Sequence, residues 1–124
     1  MRRGIQIVFV AWWVGMIIAT SIPGEHIPQD VFTDVSRGIH FLLYFVFTIL
    51  FWIVMEPHSK RSKWWTPLRA VLFLVVYASL DEVHQLFIPG RHASMADFYA
   101  NCAGIATALV VLATVHRLLQ LKKG

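Results

Sequence analysis

Apolar residues in this chain gather into four long stretches, separated by short polar segments carrying proline, glycine and charge. The first runs over Ile5–Ile22 and stops at Pro23-Gly24. The second runs over Ile39–Met55 and stops at Glu56-Pro57. The third is apolar only from Pro67 to Leu80. It reaches membrane length by continuing through Asp81-Glu82-Val83-His84-Gln85 to Ile88, where Pro89-Gly90 supplies a stop. The fourth begins at Met95. A hydrocarbon core of about 30 Å takes about 20 helical residues. The pattern therefore predicts helices over 5–22, 39–55, 67–88 and 95–116, in a single all-α, four-helix transmembrane bundle spanning residues 1–124. Arg2-Arg3 and Ala19-Thr20-Ser21 also permit a signal-peptide reading of the first stretch. Its length and two tryptophans favour a retained membrane helix.

Composition sharpens this picture. Of 124 residues, 57% are hydrophobic and 15% charged, against roughly 25% charged in ordinary soluble domains. That excludes a disordered chain and argues against a water-soluble one. Cys102 is the single cysteine, so no internal disulfide framework or CxxC site exists. The net charge of +4 does not point to nucleic acid, because the basic residues lie in short clusters at the ends of apolar stretches. Such clusters set topology. Arg2, Arg3, Lys60, Arg61, Lys63, Arg69, Arg117, Lys122 and Lys123 fall on one side, Arg37 and Arg91 on the other. Both termini are thus expected in the cytoplasm. Glu25, Asp30, Asp34, Asp81, Glu82 and Asp97 all fall on the outer side, where function is to be sought.

Three polar groupings carry candidate chemistry. Asp81, His84 and Gln85 share one helical face by their i, i+3, i+4 spacing. With Glu82 they place two carboxylates and an imidazole at membrane depth. Such groups are costly there unless they face a bundle interior or a wet cavity, and adjacent carboxylates can poise one another as proton donors. A water-facing helix end is the plainer alternative. In the fourth stretch, Ser94-x-x-Asp97 reads as a helix start with Ser94 as cap. Asp97, Asn101, Gly104 and Ala108 follow as one stripe, whose small residues permit close helix approach. Asn101 reads either as interhelical glue or as part of a site. In the second stretch, His40, Tyr44 and Thr48 form a polar stripe, although Tyr44 alone would read as an interfacial aromatic.

The turn Pro89-Gly90-Arg91 joins the third and fourth stretches. Arg91 suits a carboxylate or a lipid phosphate in bidentate fashion. It is expected to fold back over Asp81, Glu82 or Asp97. Short connections also predict that the third and fourth helices pack as neighbours. No phosphate-loop, nucleophile-elbow, HExxH or dinucleotide fingerprint occurs. No zinc-ligand spacing is convincing, and neither metal nor cofactor is expected.

The run Asp81-Glu82-Val83-His84-Gln85, the turn Pro89-Gly90-Arg91, and then Ser94, Asp97, Asn101 and Gly104 closely resembles the signature of the VanZ-like membrane proteins. Ser21-Ile22-Pro23 resembles the end of that family's first helix. His40-Phe41 with Tyr44 resembles the start of its second. Where the family often has Asp-Lys before the histidine, this chain has Ser36-Arg37, keeping the base in kind and not the acid. The resemblance implies a four-helix membrane domain. It also implies a link to low-level resistance to teicoplanin, a glycopeptide that acts on lipid-linked cell-wall precursors.

Three functions fit these residues. In the first, the protein binds or acts on a lipid or lipid-linked head group in the cell membrane. Asp81, Glu82 and His84 would be catalytic candidates, and His40, Tyr44, Gln85, Arg91, Asp97, Asn101 and Arg37 would bind substrate. In the second, a non-catalytic envelope protein uses the same residues only to hold its helices together. A proton-coupled transporter is the third, weakened by the lack of acids in the cytoplasmic halves.

Overall fold

The structure, a computed structural model, describes residues 2–24, 34–55 and 65–122. Of the charges counted above, Glu25, Asp30, Lys60, Arg61, Lys63 and Lys123 lie outside the described residues. Four helices follow in chain order: α1 (Arg2–Thr20), α2 (Asp34–Met55), α3 (Trp65–Gln85) and α4 (Met95–Leu121). Among the described residues there is no strand. Arg3–Thr20, Val35–Met55 and Met95–Leu121 are long and apolar enough to cross a membrane. Helix α3 is diluted by Arg69, Asp81 and Glu82. Large aliphatic side chains such as Ile7, Leu42, Leu72 and Val110 are exposed around the bundle. In water this would be an extensive apolar patch, whereas hydrocarbon solvates it and requires only that the backbone be bonded internally, as it is in helices.

The element boundaries differ from those expected at polar ends. Helix α2 starts earlier, because the polar turn 34–38 continues the helix ahead of the apolar stretch, and α4 likewise runs on past 116. Helix α3 ends earlier. Its last residues tighten into i→i−3 bonds from the amides of Leu86, Phe87 and Ile88 to the carbonyls of Val83, His84 and Gln85, at 3.0–3.1 Å. Pro89 disfavours a helical conformation at the residue before it. Gly90 then turns the chain at φ 71°, a left-handed conformation costly to any residue with a Cβ. Ser94 caps α4 with extended backbone, and its Oγ accepts from the Asp97 amide at 3.3 Å.

Helix α4 packs most extensively on α2, and less on its chain neighbour α3. The third and fourth helices are neighbours, as the short connection predicts, but α2 is the more extensive partner of α4. A short loop brings helices α3 and α4 together only near the turn, while close approach along their length depends on small residues. The small residues of α4 face α2: Asn101, Gly104, Ile105 and Ala108 are its buried positions. A Cβ placed on Gly104 would fall on the Phe41 carbonyl oxygen.

The apolar core is Met16, Tyr44, Phe47, Leu74, Ala78 and Ile105. Around Phe47 the rings of Phe9 and Tyr77 lie at 5.5 and 5.4 Å, and Phe51 meets Phe73 at 5.0 Å. These separations fall in the favourable range for offset and tilted ring pairs. The buried polar side chains collect at the other end, where α1 and α3 finish and α2 and α4 begin.

Candidate functional site

The polar end is built on helical periodicity. His40 and Tyr44 occupy successive turns of one α2 face; Asp81, Glu82 and Gln85 share the inner face of α3; Asn101 lies one turn beyond Asp97 in α4. All six are less than a tenth exposed, with Tyr44 and Asn101 at 0%. At that depth each polar atom needs a partner, and almost all find one.

Two chains of contacts run between the helices. In the first, the Tyr44 hydroxyl donates to Asp81 Oδ2 at 3.1 Å, and the Thr20 hydroxyl of α1 also bears on that carboxylate. The second links three helices. Asn101 Nδ2 donates to Glu82 Oε1 at 3.1 Å, and Asn101 Oδ1 lies 3.1 Å from His40 Nδ1. The Ser94 backbone amide donates to Glu82 Oε2 at 3.2 Å. An ionised carboxylate only accepts, so the Asn101 amide nitrogen must face Glu82 and its oxygen must face His40. Nδ1 of His40 therefore carries the proton, and in the neutral ring Nε2 keeps a lone pair. His40 Nδ1 also stands 4.0 Å from Glu82 Oε1, close enough for an ion pair whenever the ring is charged. Asp81 and Glu82, though adjacent in sequence, thus serve different partners.

Arg91 does not cover a carboxylate. Its Nε donates to the Ile22 carbonyl at 3.0 Å and its Nη2 to the Ala19 carbonyl at 3.3 Å. The expectation of an arginine over Asp81, Glu82 or Asp97 is corrected on this point. The last carbonyls of a helix have no intrahelical partner, and the planar guanidinium fork serves one of them, on Ala19, together with the Ile22 carbonyl just past the helix end. The Gly24 amide reinforces this joint by donating to the Pro89 carbonyl at 3.0 Å. A Cβ on Gly24 would strike the Gly90 carbonyl. The Ser21-Ile22-Pro23 and Pro89-Gly90-Arg91 segments, far apart in sequence, are two halves of one clasp between the end of α1 and the α3–α4 turn.

Beside the network lies a cavity of about 200 Å³ lined by Ser36, Arg37, Gln85, Arg91, Ser94 and Asp97, among others. Gln85 is 1% exposed, and its Nε2 has no hydrogen-bond partner among the described residues. Of the residues singled out from the sequence, His40, Tyr44, Asp81, Glu82 and Asn101 form the network. Arg37, Gln85, Arg91 and Asp97 line the cavity. His84 is half-buried and does not line the cavity. Thr48 bonds back to the Tyr44 carbonyl at 2.7 Å and so stays within its own helix. The sequence does not single out Thr20, because a threonine in a last helical turn reads as a local cap; its Oγ1 donates to the Met16 carbonyl at 3.1 Å. Among the described residues no three His, Cys, Asp or Glu side chains are arranged to hold a metal ion.

The family model described as VanZ/LLP1 matches residues 3–117. The chain belongs to the VanZ/LLP1 family. The match reaches all four helices, and so takes in both the buried network and the clasp, as the resemblance carried by Asp81–Gly104 implied. No curated protein matches the chain, and no solved structure does.

Proposed function

We propose that this VanZ/LLP1 family member is a multi-pass protein of the cell membrane, with both termini cytoplasmic, that binds a lipid or lipid-linked head group at its outer polar end. The observation that carries the reading is Gln85. It is a buried amide left without a partner for its nitrogen, on the wall of a cavity that also holds two arginines. An unpartnered donor at that depth is costly, and a ligand acceptor would offset the cost. Binding is favoured over catalysis because Asp81 and Glu82 already hold protein donors. A carboxylate so engaged is poorly placed to move a proton to or from a substrate. On this reading the network is the rigid floor of the site. Any effect on glycopeptide susceptibility would follow from occupying the head group of a cell-wall precursor.

Two measurements test the reading. On a Cys102→Ser background, an impermeant thiol reagent added to intact cells should modify Gln29→Cys and spare Ser62→Cys. The reverse pattern would turn the polar end to the cytoplasm and sink an outer site. Native mass spectrometry of the protein released from membranes should find a co-purifying lipid. Recovery of bare protein only, under conditions that retain lipid on a known lipid-binding protein, would favour the structural alternative. In that alternative the polar cluster only holds the helices together.

A further inference from the structure

We infer that the cavity takes a phosphate group with a hydroxyl beside it, such as an anionic phosphodiester whose head group carries a free alcohol. The inference rests on the head-group reading above and gives it a chemical class. Four features of the cavity converge on this chemistry. Arg37 and Arg91 bring two positive charges to its wall, and Asp97 brings one negative charge. Guanidinium groups are charge-assisted donors to phosphate oxygens. The buried Gln85 Nε2 presents a donor without a partner, which asks for an acceptor oxygen. Asp97, by contrast, would repel a bare anion that filled the cavity; it is satisfied by a ligand that turns a hydroxyl toward it. A volume of about 200 Å³ admits a phosphate with a short polyol and leaves acyl chains outside, along the exposed aliphatic flanks of the helices.

Arg91 fits this role because of its tether. Its Nε and one Nη are engaged on the Ile22 and Ala19 carbonyls, so the guanidinium is held at the cavity wall before any ligand arrives. A pre-positioned cation loses little side-chain freedom on binding. The network beneath fixes the rest of the wall: Ser94, which lines the cavity, has its amide bound to Glu82, and Gln85 lies one helical turn beyond Asp81 and Glu82.

The test uses the full chain in a nonionic detergent and short-chain dihexanoyl lipids. Binding of dihexanoyl phosphatidylglycerol, dihexanoyl phosphatidylcholine and inorganic phosphate is measured by calorimetry. The glycerol lipid has the alcohol; the choline lipid has the same phosphodiester and no donor. We expect the glycerol lipid to bind about tenfold tighter or more than the choline lipid, the scale of a hydrogen bond to a charged group. Gln85→Leu removes the donor to the phosphodiester that both lipids share and should weaken both, while Asp97→Ala removes the acceptor for the alcohol and should abolish the preference. Arg37→Gln alters an exposed side chain, so it serves if Gln85→Leu fails to fold, and it should weaken the glycerol lipid by a similar factor. Arg117→Ala, at the far end of α4, should change neither affinity. Equal affinity for the two lipids would overturn the inference. So would a preference that survives or grows in Asp97→Ala, since that is bulk electrostatic attraction to a basic protein. If inorganic phosphate binds in a Gln85-dependent way and neither lipid does, the phosphate assignment stands and the head-group reading falls.

Discussion

The two ends of this bundle are held together by different physics. At one end, Phe9, Trp13, Phe47, Phe51, Phe73 and Tyr77 fill the space between α1, α2 and α3 with rings at 5.0–6.4 Å. At the other, His40, Tyr44, Asp81, Glu82 and Asn101 link α2, α3 and α4 through hydrogen bonds near 3.1 Å. In a membrane the unfolded helices are surrounded by lipid chains as apolar as the rings, so apolar burial drives association weakly and packing supplies the remainder. Ring contacts are also tolerant, because a neighbouring side chain can shift into a partial gap. A buried hydrogen-bond network has no such latitude: remove one member and its partners stand unpaired. The aromatic end should therefore accept substitution more readily, while the polar end fixes which helix faces which.

The comparison breaks most directly at Asn101. Asn101→Leu keeps the volume and removes both amide contacts, leaving Glu82 Oε1 and His40 Nδ1 without partners. The expected loss is about 3 kcal/mol, two interhelical bonds each at the upper end of the scale for membranes. It should be read as a large fall in the thermal midpoint of the detergent-solubilised protein. A change below that of Phe47→Leu would show that the network is dispensable.

Gly104→Ala comes next. The added Cβ meets the Phe41 backbone, which cannot rotate aside, and α2 and α4 must separate. Overpacking of this kind costs about 2 kcal/mol. The same midpoint should fall, and Gly38→Ala, where nothing lies within 4 Å, provides the control. An equal effect at both glycines would mean that helix approach does not set stability.

Tyr44→Phe probes the seam between the two ends. The ring lies 6.3 Å from Phe47 and 6.2 Å from Tyr77, while its hydroxyl serves Asp81. Removing only the oxygen should cost about 1.5 kcal/mol, at the upper end for interhelical bonds in membranes, because the Asp81 carboxylate then loses its donor from α2. Arg91→Lys should cost about 1 kcal/mol through the lost fork on the Ala19 and Ile22 carbonyls. It should also increase proteolytic cleavage near 21–24. Cleavage no faster than in the unaltered protein would place the strength of the clasp in the Gly24–Pro89 bond instead.

Much of this was legible in the sequence, and what was not has a physical reason. Face arithmetic on Tyr44, Asp81 and Glu82 works because helical spacing is rigid, and Ser94 reads as a cap because capping is local. The stripe Asn101, Gly104, Ala108 announces a close helix contact, yet nothing local names α2 as the partner. Loop length points to α3, which is a neighbour of α4, but it does not reveal that α2 is the more extensive one. Side-chain charge is visible in a sequence and points Arg91 toward carboxylates, whereas the free carbonyls of Ala19 and Ile22 are not visible there. The apolar stretches locate the four helices but not their ends: residues 34–38 and 117–121 are helical beyond the apolar limits.

The smallest effect is expected at Phe47→Leu, and it carries the comparison's sharpest contrast. Phe47 is 0% exposed and touches rings on every side. In a water-soluble protein its position alone would make it a major determinant of stability. Here the reference state is itself apolar, so the transfer contribution largely cancels and only the ring pairs and dispersion contacts are lost. Leucine restores part of the volume in the same place, and volume-conserving apolar exchanges cost under about 1.5 kcal/mol; with the transfer contribution reduced, about 0.5–1 kcal/mol is expected. Tyr44→Phe, which deletes one oxygen, should then lower the thermal midpoint more than Phe47→Leu, which deletes most of a ring. The two variants are to be melted side by side in the same detergent, with the Phe47→Leu, Tyr44→Phe double variant to show whether the effects add. If Phe47→Leu proves the more damaging, ring packing holds the helices, and the polar end is a site carried by the fold rather than a cause of it.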